Sequence, residues 1–405
     1  FRKGHSTQTA MIKLTDDVRL AIDKRMVTLL VLFDFSKAFD HVHYDLLLHK
    51  LSCFNVASPV ISWFKSYLTG RSQRVQGSDG AFSSWASVSA GVPQGSVLGP
   101  LLFAVFVNDL HLSLRYCSHI LYADDLQIYF HFPPSNLESA LGRIGKDIAA
   151  VGRWAELNGL RLNTKKTKTM LLGSTKYVNS ISSACNLVID GQPIALVSQT
   201  VNLGIMLTST LNWSEHITYS ARKINGALWK LKLYKNSLAT SLRARLVSSL
   251  ILPFFDYCAA VFTDLTGQQK LRFRRLMNSC VRFIFDLRRD DHVTPLYDRL
   301  GWLTACDRRM YLTGCLHSII RTESPSYLAS LFRSHVPPRS LPRLPLHDFA
   351  LPSCRTTTYQ LSFAHAGSTF WNTLPAVVRE SPSHNIFKRE LFDHLRQLSL
   401  FRSAS

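Results

Sequence analysis

Acidic residues are few in this chain, and their scarcity limits the kinds of partner that it can have. Among 405 residues, 27 Asp and Glu stand against 47 Lys and Arg, which gives a net charge of +20 and an isoelectric point near 9.8. The excess is uneven, because residues 211–405 carry a net charge of +14 and residues 1–210 a net charge of +6. Such a charge favours a polyanionic partner, most simply nucleic acid, over a surface kept basic for solubility alone.

The chain also lacks the features of membrane, secreted and zinc-binding proteins. No apolar run reaches the roughly 18 residues of a membrane-spanning helix, and the longest, from Leu98 to Val107, includes Gly99 and Pro100. None of the eight cysteines has C-x-x-C spacing, so we expect free thiols in a reducing compartment and no zinc site. The chain starts at Phe1 without a signal peptide, and we expect it to be part of a longer protein.

Length and composition predict a folded protein with more than one domain. Apolar residues make up 46% of the chain and charged residues 18%, and the sequence shows no internal repeat. A chain of 405 residues is long enough for two or three domains. Strand and helix patterns mix in the first half, which predicts an α+β fold with a small antiparallel sheet and helices on one face. The second half is predicted to be mainly helical.

Hydrophobic periodicity and turn residues predict where the elements lie. In the first half we expect a helix after Ser6, a buried strand over 26–35, a hairpin over 71–90, a helix over 100–112, strands either side of a turn over 120–130, a helix over 137–157 and a strand over 161–173. Beyond these we expect a short strand beginning at 202–205, basic helices over 213–321, a Pro-, Arg- and Thr-rich linker over 336–358 and a small helical tail.

Three short segments in a fixed order carry the predicted chemistry. They are VLFDFSKAFD at 31–40, GVPQGS at 91–96 and LYADD at 121–125. Each is a weak signal alone, because short strings recur by chance. Together they describe an apolar strand ending at Asp34, a Gly/Pro loop that opens a helix, and an apolar strand ending at Asp124 and Asp125. This order predicts carboxylates gathered at one end of a sheet, as in the palm of a polymerase.

These carboxylates are the predicted metal ligands. Nucleotidyl transfer is an in-line displacement at phosphorus, and two divalent ions can clamp its attacking and leaving oxygens. Because Mg²⁺ prefers oxygen ligands, we expect Asp34 and Asp124 to hold two Mg²⁺ ions, with the carbonyl of Phe35 as a third donor. Asp125 points to the other face of its strand and is expected to support the primer 3′ end. Taken singly, Asp34 would also suit a helix cap, and the Asp pair a turn.

Further candidates would surround a bound nucleotide. Phe39 would pack under the sugar and exclude a 2′-hydroxyl, with an ordinary core phenylalanine as the alternative. Gln94 and Gly95 belong to a loop whose glycines permit close backbone approach, so Gln94 can hydrogen-bond the nucleotide unless the loop is a plain connection. Lys166, in the basic turn over 163–168, would protonate the leaving pyrophosphate, with a solvated charge run as the alternative.

Basic residues outside these segments are candidates for contact with nucleic acid. Arg71 and Arg74, in the predicted hairpin, are expected to contact template phosphates. In the helical half, basic residues recur among apolar and aromatic ones, and Lys230 and Arg243 are expected to grip a duplex. Most of the accompanying aromatic residues are expected to belong to the core.

These segments resemble the reverse transcriptase of jockey-like non-LTR (LINE-type) retrotransposons. The family's motifs are matched by FR and HST within 1–7, DFSKAFD at 34–40, GVPQGSVLGPLLF at 91–103 and YADD at 122–125. Gly159 and Leu160 with Asn163, Lys166 and Thr167 resemble a fourth motif. NLGI at 202–205 with the residues to His216 resembles a fifth, which in the family supports the primer. WN and LP within 371–375 are similar to a C-terminal signature.

The resemblance implies an RNA-directed DNA polymerase of right-hand shape. Its parts would be a residual fingers segment at 1–25, a palm at 26–205 carrying a fingers hairpin at 71–90, a helical thumb at 206–335, a linker at 336–358 and a helical tail at 359–405. Its partners would be an RNA template, a DNA primer or target and deoxynucleotides, with two Mg²⁺, or Mn²⁺ in their place, as cofactor and no membrane. The family implies a nuclear location with a cytoplasmic ribonucleoprotein stage.

Two departures from the family bear on activity. The chain starts after the early fingers blocks, whose basic residues contact the triphosphate, and it lacks the N-terminal endonuclease of a full-length element. We therefore expect low activity from these 405 residues alone. The main alternative is a non-catalytic relic that binds nucleic acid without polymerising. An RNA-dependent RNA polymerase is disfavoured by Phe39, and an intron-encoded maturase by the C-terminal signature.

Overall fold

The computed structural model describes residues 3–320, 325–333 and 349–404. By their internal contacts these residues form two compact units. The first unit is Val27–Ser198, and the second combines the described residues up to Met26 with those from Gln199 onward. The predicted linker over 336–358 lies outside the described residues as far as position 348. The names fingers, palm and thumb stay predictions for these parts.

The elements follow one another in a mixed order in the first unit and a mainly helical order in the second. The strands are β1 (Val27–Phe33), β2 (Arg71–Gln73), β3 (Ala86–Val88), β4 (Ser118–Tyr122), β5 (Asp125–Phe132), β6 (Lys168–Leu172), β7 (Val188–Ile189), β8 (Gln192–Pro193), β9 (Ala195–Leu196), β10 (Gln199–Asn202) and β11 (Ile205–Thr208). The longer helices are α1 (Thr7–Asp23), α2 (Tyr44–Cys53), α3 (Ser58–Leu68), α4 (Gly99–Val107), α5 (Leu137–Leu157), α6 (Thr175–Ile181), α7 (Ser214–Leu233) and α8 (Thr240–Leu250). They continue with α9 (Leu252–Asp256), α10 (Gly267–Phe285), α11 (Thr294–Arg299), α12 (Ala305–Ile320), α13 (Ser326–Ala329), α14 (Thr357–Gln360), α15 (Ser368–Thr373), α16 (Ala376–Arg379) and α17 (His384–Ala404).

A five-stranded sheet in the order β4-β5-β1-β6-β9 forms the frame of the first unit. The central strand β1 is antiparallel to both β5 and β6, and its sequence VTLLVLF is buried almost throughout. Branched and apolar residues suit this position, because both faces of a central strand are covered. Helix α5 packs Ile144, Ile148 and Val151 into the same core. The predicted α+β class is confirmed, but the sheet is mixed rather than antiparallel throughout, because β9 runs parallel to β6.

Several predicted elements differ from the observed ones in extent. The strand predicted over 161–173 is shorter, because residues 163–167 form a turn in which the N–H groups of Lys166 and Thr167 bond to the carbonyl of Asn163. The helix predicted over 100–112 ends at Val107 and is followed by a 3₁₀ turn over Leu110–Ser113. The strand predicted to begin at 202–205 starts at Ile205, after a tight turn of Leu203 and Gly204 that joins β10 to β11.

The N-terminal helix α1 belongs to the second unit, where buried carboxylates attach it to the C-terminal segment. Asp16 accepts hydrogen bonds from the backbone N–H groups of Phe363 and Ala364, both at 2.8 Å. Asp23 accepts from the N–H groups of the 355–356 turn, at 2.9 and 2.7 Å. Sequence patterns could not reveal this attachment, because the partners lie more than 300 residues apart.

The C-terminal helices share one hydrophobic core with α12. Trp371 is fully buried there among Leu303, Cys315, Leu374, Val378, Phe387, Leu391 and Leu395. The segment from 359 onward is therefore packed into the second unit, and it contains the helices that the sequence predicted near Trp371 and over 387–395.

One stretch of the described residues, Thr240–Val261, is long and apolar enough to cross a membrane by length and composition. It spans 22 residues with a mean hydropathy of 1.4, and 39% of its apolar window is buried inside the structure. The sequence prediction rested on uninterrupted apolar runs, and Arg243, Arg245 and Asp256 interrupt this one. In the structure it divides into α8, α9 and a 3₁₀ turn. A buried core segment passes the same test, so the absence of a membrane partner stays a prediction.

The stability of the second unit is expected to depend on pH through His216. The N–H of Met206 donates to Nδ1 of this buried ring at 3.2 Å, which joins β11 to α7. Burial, with the nearby charge of Lys223, lowers the pKa of His216 from 6.5 to about 4. Because the pKa of His216 is lower in the folded protein than in the unfolded chain, the fold keeps its full stability above pH 6.5. As the pH falls towards 4, the free energy of unfolding decreases by about 3 kcal/mol.

Denaturant unfolding at pH 7.5, 5.5 and 4.5 would measure this effect. His216→Gln keeps a hydrogen-bond acceptor but cannot titrate, so its free energy of unfolding should fall less between pH 7.5 and 4.5 than that of the unchanged protein. Equal pH dependence in both proteins would show that His216 does not carry the effect.

Candidate active site

Asp34 lies directly beyond the last residue of β1 and is held there by its backbone. Its carbonyl accepts a hydrogen bond from the N–H of Asn163 at 2.7 Å, and its N–H donates to Oγ1 of Thr167 at 3.3 Å. The neighbouring residue Phe35 forms an isolated antiparallel bridge to Leu162. The 161–167 segment therefore fixes the direction in which the chain leaves the sheet, and with it the place of the Asp34 carboxylate.

Asp124 and Asp125 lie at the tight turn that joins β4 to β5. Tyr122 pairs with Asp125 across the hairpin, so Ala123 and Asp124 form a two-residue turn. Ala123 has a φ of 53°, a left-handed conformation that is uncommon for alanine and that two-residue hairpin turns require. The backbone is thus locally strained at Ala123, next to the two carboxylates.

The pairing of β1 with β5 brings the three carboxylates to the same end of the sheet. Phe33 is opposite Leu126, so the next position in the register places Asp34 beside Asp125. Loss of solvation raises the pKa of Asp125, and the negative charges of Asp124 and Asp34 raise it further. The Nζ atom of Lys166 lies 4.0 Å from Oδ2 of Asp34, with both side chains open to solvent. The structure therefore brings together the four residues for which the sequence predicted catalytic roles.

A cleft of about 440 Å³ opens beside this cluster. Its lining includes Asp124 and the predicted nucleotide-binding residues Phe39, Gln94 and Gly95. The ring of Phe39 is stacked on that of Phe103 with centroids 4.1 Å apart, while Phe39 also lines the cleft. The two alternatives for Phe39 are thus not exclusive, because the residue packs on the core and borders the cleft.

Backbone hydrogen bonds join the loop that contains Gln94 to the turn after β1. The N–H of Gly91 donates to the carbonyl of Val42, and the N–H of Val92 donates to the carbonyl of Phe39, both at 2.9 Å. Gly91 has a φ of 92°, and a Cβ atom there would lie 2.9 Å from the Cα of Asp40. Only glycine therefore permits this close approach. The amide of Gln94 in turn donates to Oδ1 of Asp40 at 2.8 Å.

The carboxylate cluster suits a hard divalent cation. Its oxygen donors and negative charge are concentrated at one place, as the raised pKa of Asp125 reflects. Within residues 3–320, 325–333 and 349–404, no three acidic, His or Cys side chains converge closely enough to enclose an ion by themselves. Mg²⁺ is commonly bound by one or two carboxylates together with water and substrate phosphates. Asp34 and Asp124 therefore fit an ion whose coordination the substrate completes.

Of the four basic residues predicted to contact nucleic acid, two belong to the first unit and two to the second. Arg71 and Arg74 lie on the exposed hairpin of β2 and β3, and Lys230 is exposed on α7. Arg243 donates to the backbone carbonyls of Leu238 and Lys235 at 2.9 Å and approaches those of Phe283 and Ile284 at the end of α10. These bonds indicate a structural use of Arg243, and its contact with a duplex stays a prediction.

Three residues of the site were not singled out from the sequence. Lys37 lines the cleft, Asp40 accepts the bond from Gln94, and Thr167 holds the N–H of Asp34. Lys37 and Asp40 lie within the DFSKAFD segment, so their closeness to Asp34 along the chain was an available signal. Thr167 is 133 residues from Asp34, and only the fold brings the two together.

Curated relatives of the chain are polymerases of insect mobile elements. The chain is 30% identical over 298 residues to the probable RNA-directed DNA polymerase from transposon BS of Drosophila melanogaster, which covers 71% of this chain and 32% of the relative. It is 24% identical to that of the X-element of the same species, over 85% of this chain and 37% of the relative. It is 26% identical to the RNA-directed DNA polymerase from mobile element jockey of that species, over 74% and 34%. The chain thus spans about a third of the length of these relatives.

Solved structures that are similar to this chain include telomerases. Apo telomerase from Candida tropicalis is 11% identical and has a TM-score of 0.40, with 80% of this chain and 56% of that chain covered. Telomerase from Candida albicans in complex with a fragment of telomeric RNA is 13% identical and has a TM-score of 0.36, with 80% and 52% covered.

A family model for reverse transcriptase (RNA-dependent DNA polymerase) matches residues 1–219, more than half of the chain. The matched range contains Asp34, Asp124 and Asp125, the turn at Lys166 and the lining of the cleft. The resemblance drawn from the sequence motifs is confirmed by this match and by the three relatives. This chain belongs to the reverse transcriptase family and is related to the polymerases of jockey, BS and X-element non-LTR retrotransposons.

Proposed function

We propose that this chain extends a DNA primer on an RNA template by two-metal nucleotidyl transfer. The observation that carries the proposal is the meeting of Asp34, Asp124 and Asp125 at one end of the sheet, beside the cleft lined by Phe39 and Gln94. Reverse transcriptases generally use divalent metal ions, and these carboxylates are the donors that suit Mg²⁺ or Mn²⁺.

The reaction would join the primer 3′ oxygen to the α-phosphorus of a deoxynucleotide and release pyrophosphate. Asp34 and Asp124 would hold the ions, with the carbonyl of Phe35 as a further donor, and bound ions would stabilise the charge that develops at the phosphate. Asp125 would support the primer 3′ end. Lys166 lies close enough to Asp34 to reach the same substrate, and its ammonium group would give a proton to the leaving pyrophosphate.

Residues around the cleft would select and orient the nucleotide. The ring of Phe39 is stacked on that of Phe103. This stacking would hold the Phe39 ring in place beside the sugar, where it would clash with a 2′-hydroxyl. Gln94 and Gly95 would lie over the nucleotide, with Gln94 oriented by Asp40. The RNA template, chromosomal DNA as target and a nuclear site of action are parts of the same proposal for the full-length protein.

Primer extension on a poly(rA)/oligo(dT) substrate tests the proposal directly. The chain and a version extended to the length of its relatives would be assayed with Mg²⁺, with Mn²⁺ and with a chelator. Incorporation of dTMP that requires both the RNA template and the ion would support the proposal. Silence in both proteins, with RNA binding retained, would overturn it in favour of a non-catalytic relic.

Lys37 is expected to help bind the triphosphate, because its side chain is exposed and lines the cleft beside Asp124. Lys37→Ala should raise the KM for dTTP about fivefold and leave kcat nearly unchanged, since an exposed charge pair contributes up to about 1 kcal/mol. Lys176→Ala, which removes an exposed lysine from α6, is the matched control. Steady-state kinetics with both variants would check this, and an unchanged KM in Lys37→Ala would contradict it.

A further inference from the structure

Three aromatic side chains on α3 and the β2–β3 hairpin are mostly exposed, and a fourth, Tyr67, packs only in part on the core of the first unit. Trp85 is 63% exposed, Trp63 54% and Phe82 52%, and Tyr67 is half-buried. Together with Arg71 and Arg74 they make up what we call the aromatic–arginine surface. A few scattered exposed aromatic residues are ordinary, but a cluster of this size commonly marks a binding surface.

Ring contacts order the aromatic–arginine surface in two groups, one on α3 with Arg71 and the other in the hairpin around Arg74. The rings of Trp63 and Tyr67 are nearly parallel, with an interplanar angle of 7° and centroids 5.7 Å apart, and Arg71 lies 5.7 Å from the Tyr67 ring. In the hairpin, the guanidinium carbon of Arg74 lies 3.9 Å from the centroid of Phe82 and 4.7 Å from that of Trp85. These contacts orient flat faces and planar guanidinium groups while leaving them open to solvent.

Within the residues that the structure describes, folding gives no reason for this arrangement. Every residue from Thr69 to Ser87 is exposed, so the hairpin covers no hydrophobic core. A two-stranded hairpin is marginally stable by itself in water. Exposing large apolar side chains on it to water is unfavourable. The charge is also one-sided, because residues 58–90 contain Lys65, Arg71 and Arg74 against the single acid Asp79.

We propose that the aromatic–arginine surface is a stacking platform for unpaired bases of a single-stranded RNA. Successive bases would lie against the rings of Trp85, Phe82 and Trp63, and the N–H groups of Arg71 and Arg74 would donate to the phosphates between them. Stacking is tolerant of sequence, because every base has a flat face. The inference rests on the proposed function in naming the template as the natural ligand, but the binding itself requires no catalysis.

Unpaired RNA fits this surface better than duplex RNA or a protein. A duplex hides the faces of its bases inside the stack and offers only phosphates, hydroxyls and groove edges, so it would leave the rings unused. A protein partner would have to be acidic to complement a net charge of +20, and binding an acidic protein would not require parallel aromatic rings. A strand with a phosphate for every base satisfies the rings and the arginines together.

Fluorescence anisotropy of the full chain with a labelled 12-nucleotide single-stranded RNA, in chelator and without nucleotides, tests the platform. Trp85→Ala should weaken binding about tenfold, since one stacked base contributes in that range. Trp85→Phe keeps a flat ring and should recover most of the affinity, whereas Trp85→Leu, apolar but not flat, should bind as weakly as Trp85→Ala. Phe54→Ala, which removes a comparably exposed ring at the end of α2, is the matched control and should bind normally.

Two further measurements separate stacking from charge and from catalysis. Arg71→Gln should reduce the salt dependence of RNA binding by about one phosphate contact, while Trp85→Ala should leave the slope unchanged. Affinity for a blunt RNA duplex should be the same in Trp85→Ala and the unchanged protein. Unchanged single-strand affinity in Trp85→Ala, normal binding by Trp85→Leu, or an equal loss on the duplex would each overturn the platform. Absent primer extension with Trp85-dependent RNA binding would overturn the proposed function alone.

Discussion

Asp124→Asn is expected to reduce primer extension about a thousandfold or more. The substitution keeps the size of the side chain but removes the charge that would hold a metal ion, and metal stabilisation of a phosphoryl transition state contributes several kcal/mol. Asp124 lies in a two-residue turn and lines an open cleft, so the fold should tolerate the change. Single-turnover extension with saturating primer and template would measure the loss in the chemical step.

Two readouts show whether the loss arises at the predicted site. The negative charge of Asp124 helps to raise the pKa of Asp125, so Asp124→Asn should lower that pKa in an NMR titration of the carboxyl carbon. Asp45→Asn, which changes an exposed carboxylate in the first turn of α2, should extend primers normally. Extension by Asp124→Asn at near-normal rates would contradict the assignment of this carboxylate as a metal ligand.

Phe39→Val is expected to relax the choice of sugar by about 10- to 100-fold. The ring of Phe39 borders the cleft and is stacked on Phe103, so we expect that it could not move away from the 2′-hydroxyl of a bound nucleotide. A shorter side chain would remove that clash, and steric discrimination of this kind contributes about 1–3 kcal/mol. The ratio of kcat/KM for dTTP to that for UTP, measured on the same primer and template, would report the change.

Phe39→Tyr is the matched control for this effect, because it keeps the ring and its stacking on Phe103. Its discrimination should stay close to that of the unchanged protein, even if the added hydroxyl alters the rate. Phe39→Val is also expected to lose some stability, since it gives up the ring contact. An unchanged dTTP to UTP ratio in Phe39→Val, with activity retained, would assign Phe39 to the core alone.

The candidate site was largely predictable because most of its residues lie in three short sequence segments. Asp34 ends an apolar, β-branched strand and Asp124 lies at a two-residue turn between two strands, and both features can be recognised locally. Gly91 was recognisable as a close-approach glycine, although its neighbour Asp40 was not. Element boundaries were less predictable, since the Leu-rich run before Gly173 does not show where the 163–167 turn ends and β6 begins.

Contacts between distant segments were beyond the reach of such patterns. Arg243 belongs to a series of basic residues in the sequence, yet its guanidinium donates to backbone carbonyls of two segments, the 235–238 turn and the end of α10. Likewise, the packing of α1 against the C-terminal segment depends on Asp16 and Asp23, which appear in the sequence as ordinary helical acids.

The sequence by itself determined the family, and it predicted the kind of chemistry and the residues at the centre of the candidate site. It did so because strands, turns and glycine loops are specified by neighbouring residues. Only the tertiary structure decided that β1 lies between β5 and β6, that Asp34 therefore meets Asp124 and Asp125, and that Lys166 approaches Asp34. The aromatic–arginine surface could not be seen in the sequence, because only the fold shows that Trp63, Phe82 and Trp85 stay exposed while Tyr67 packs in part on the core.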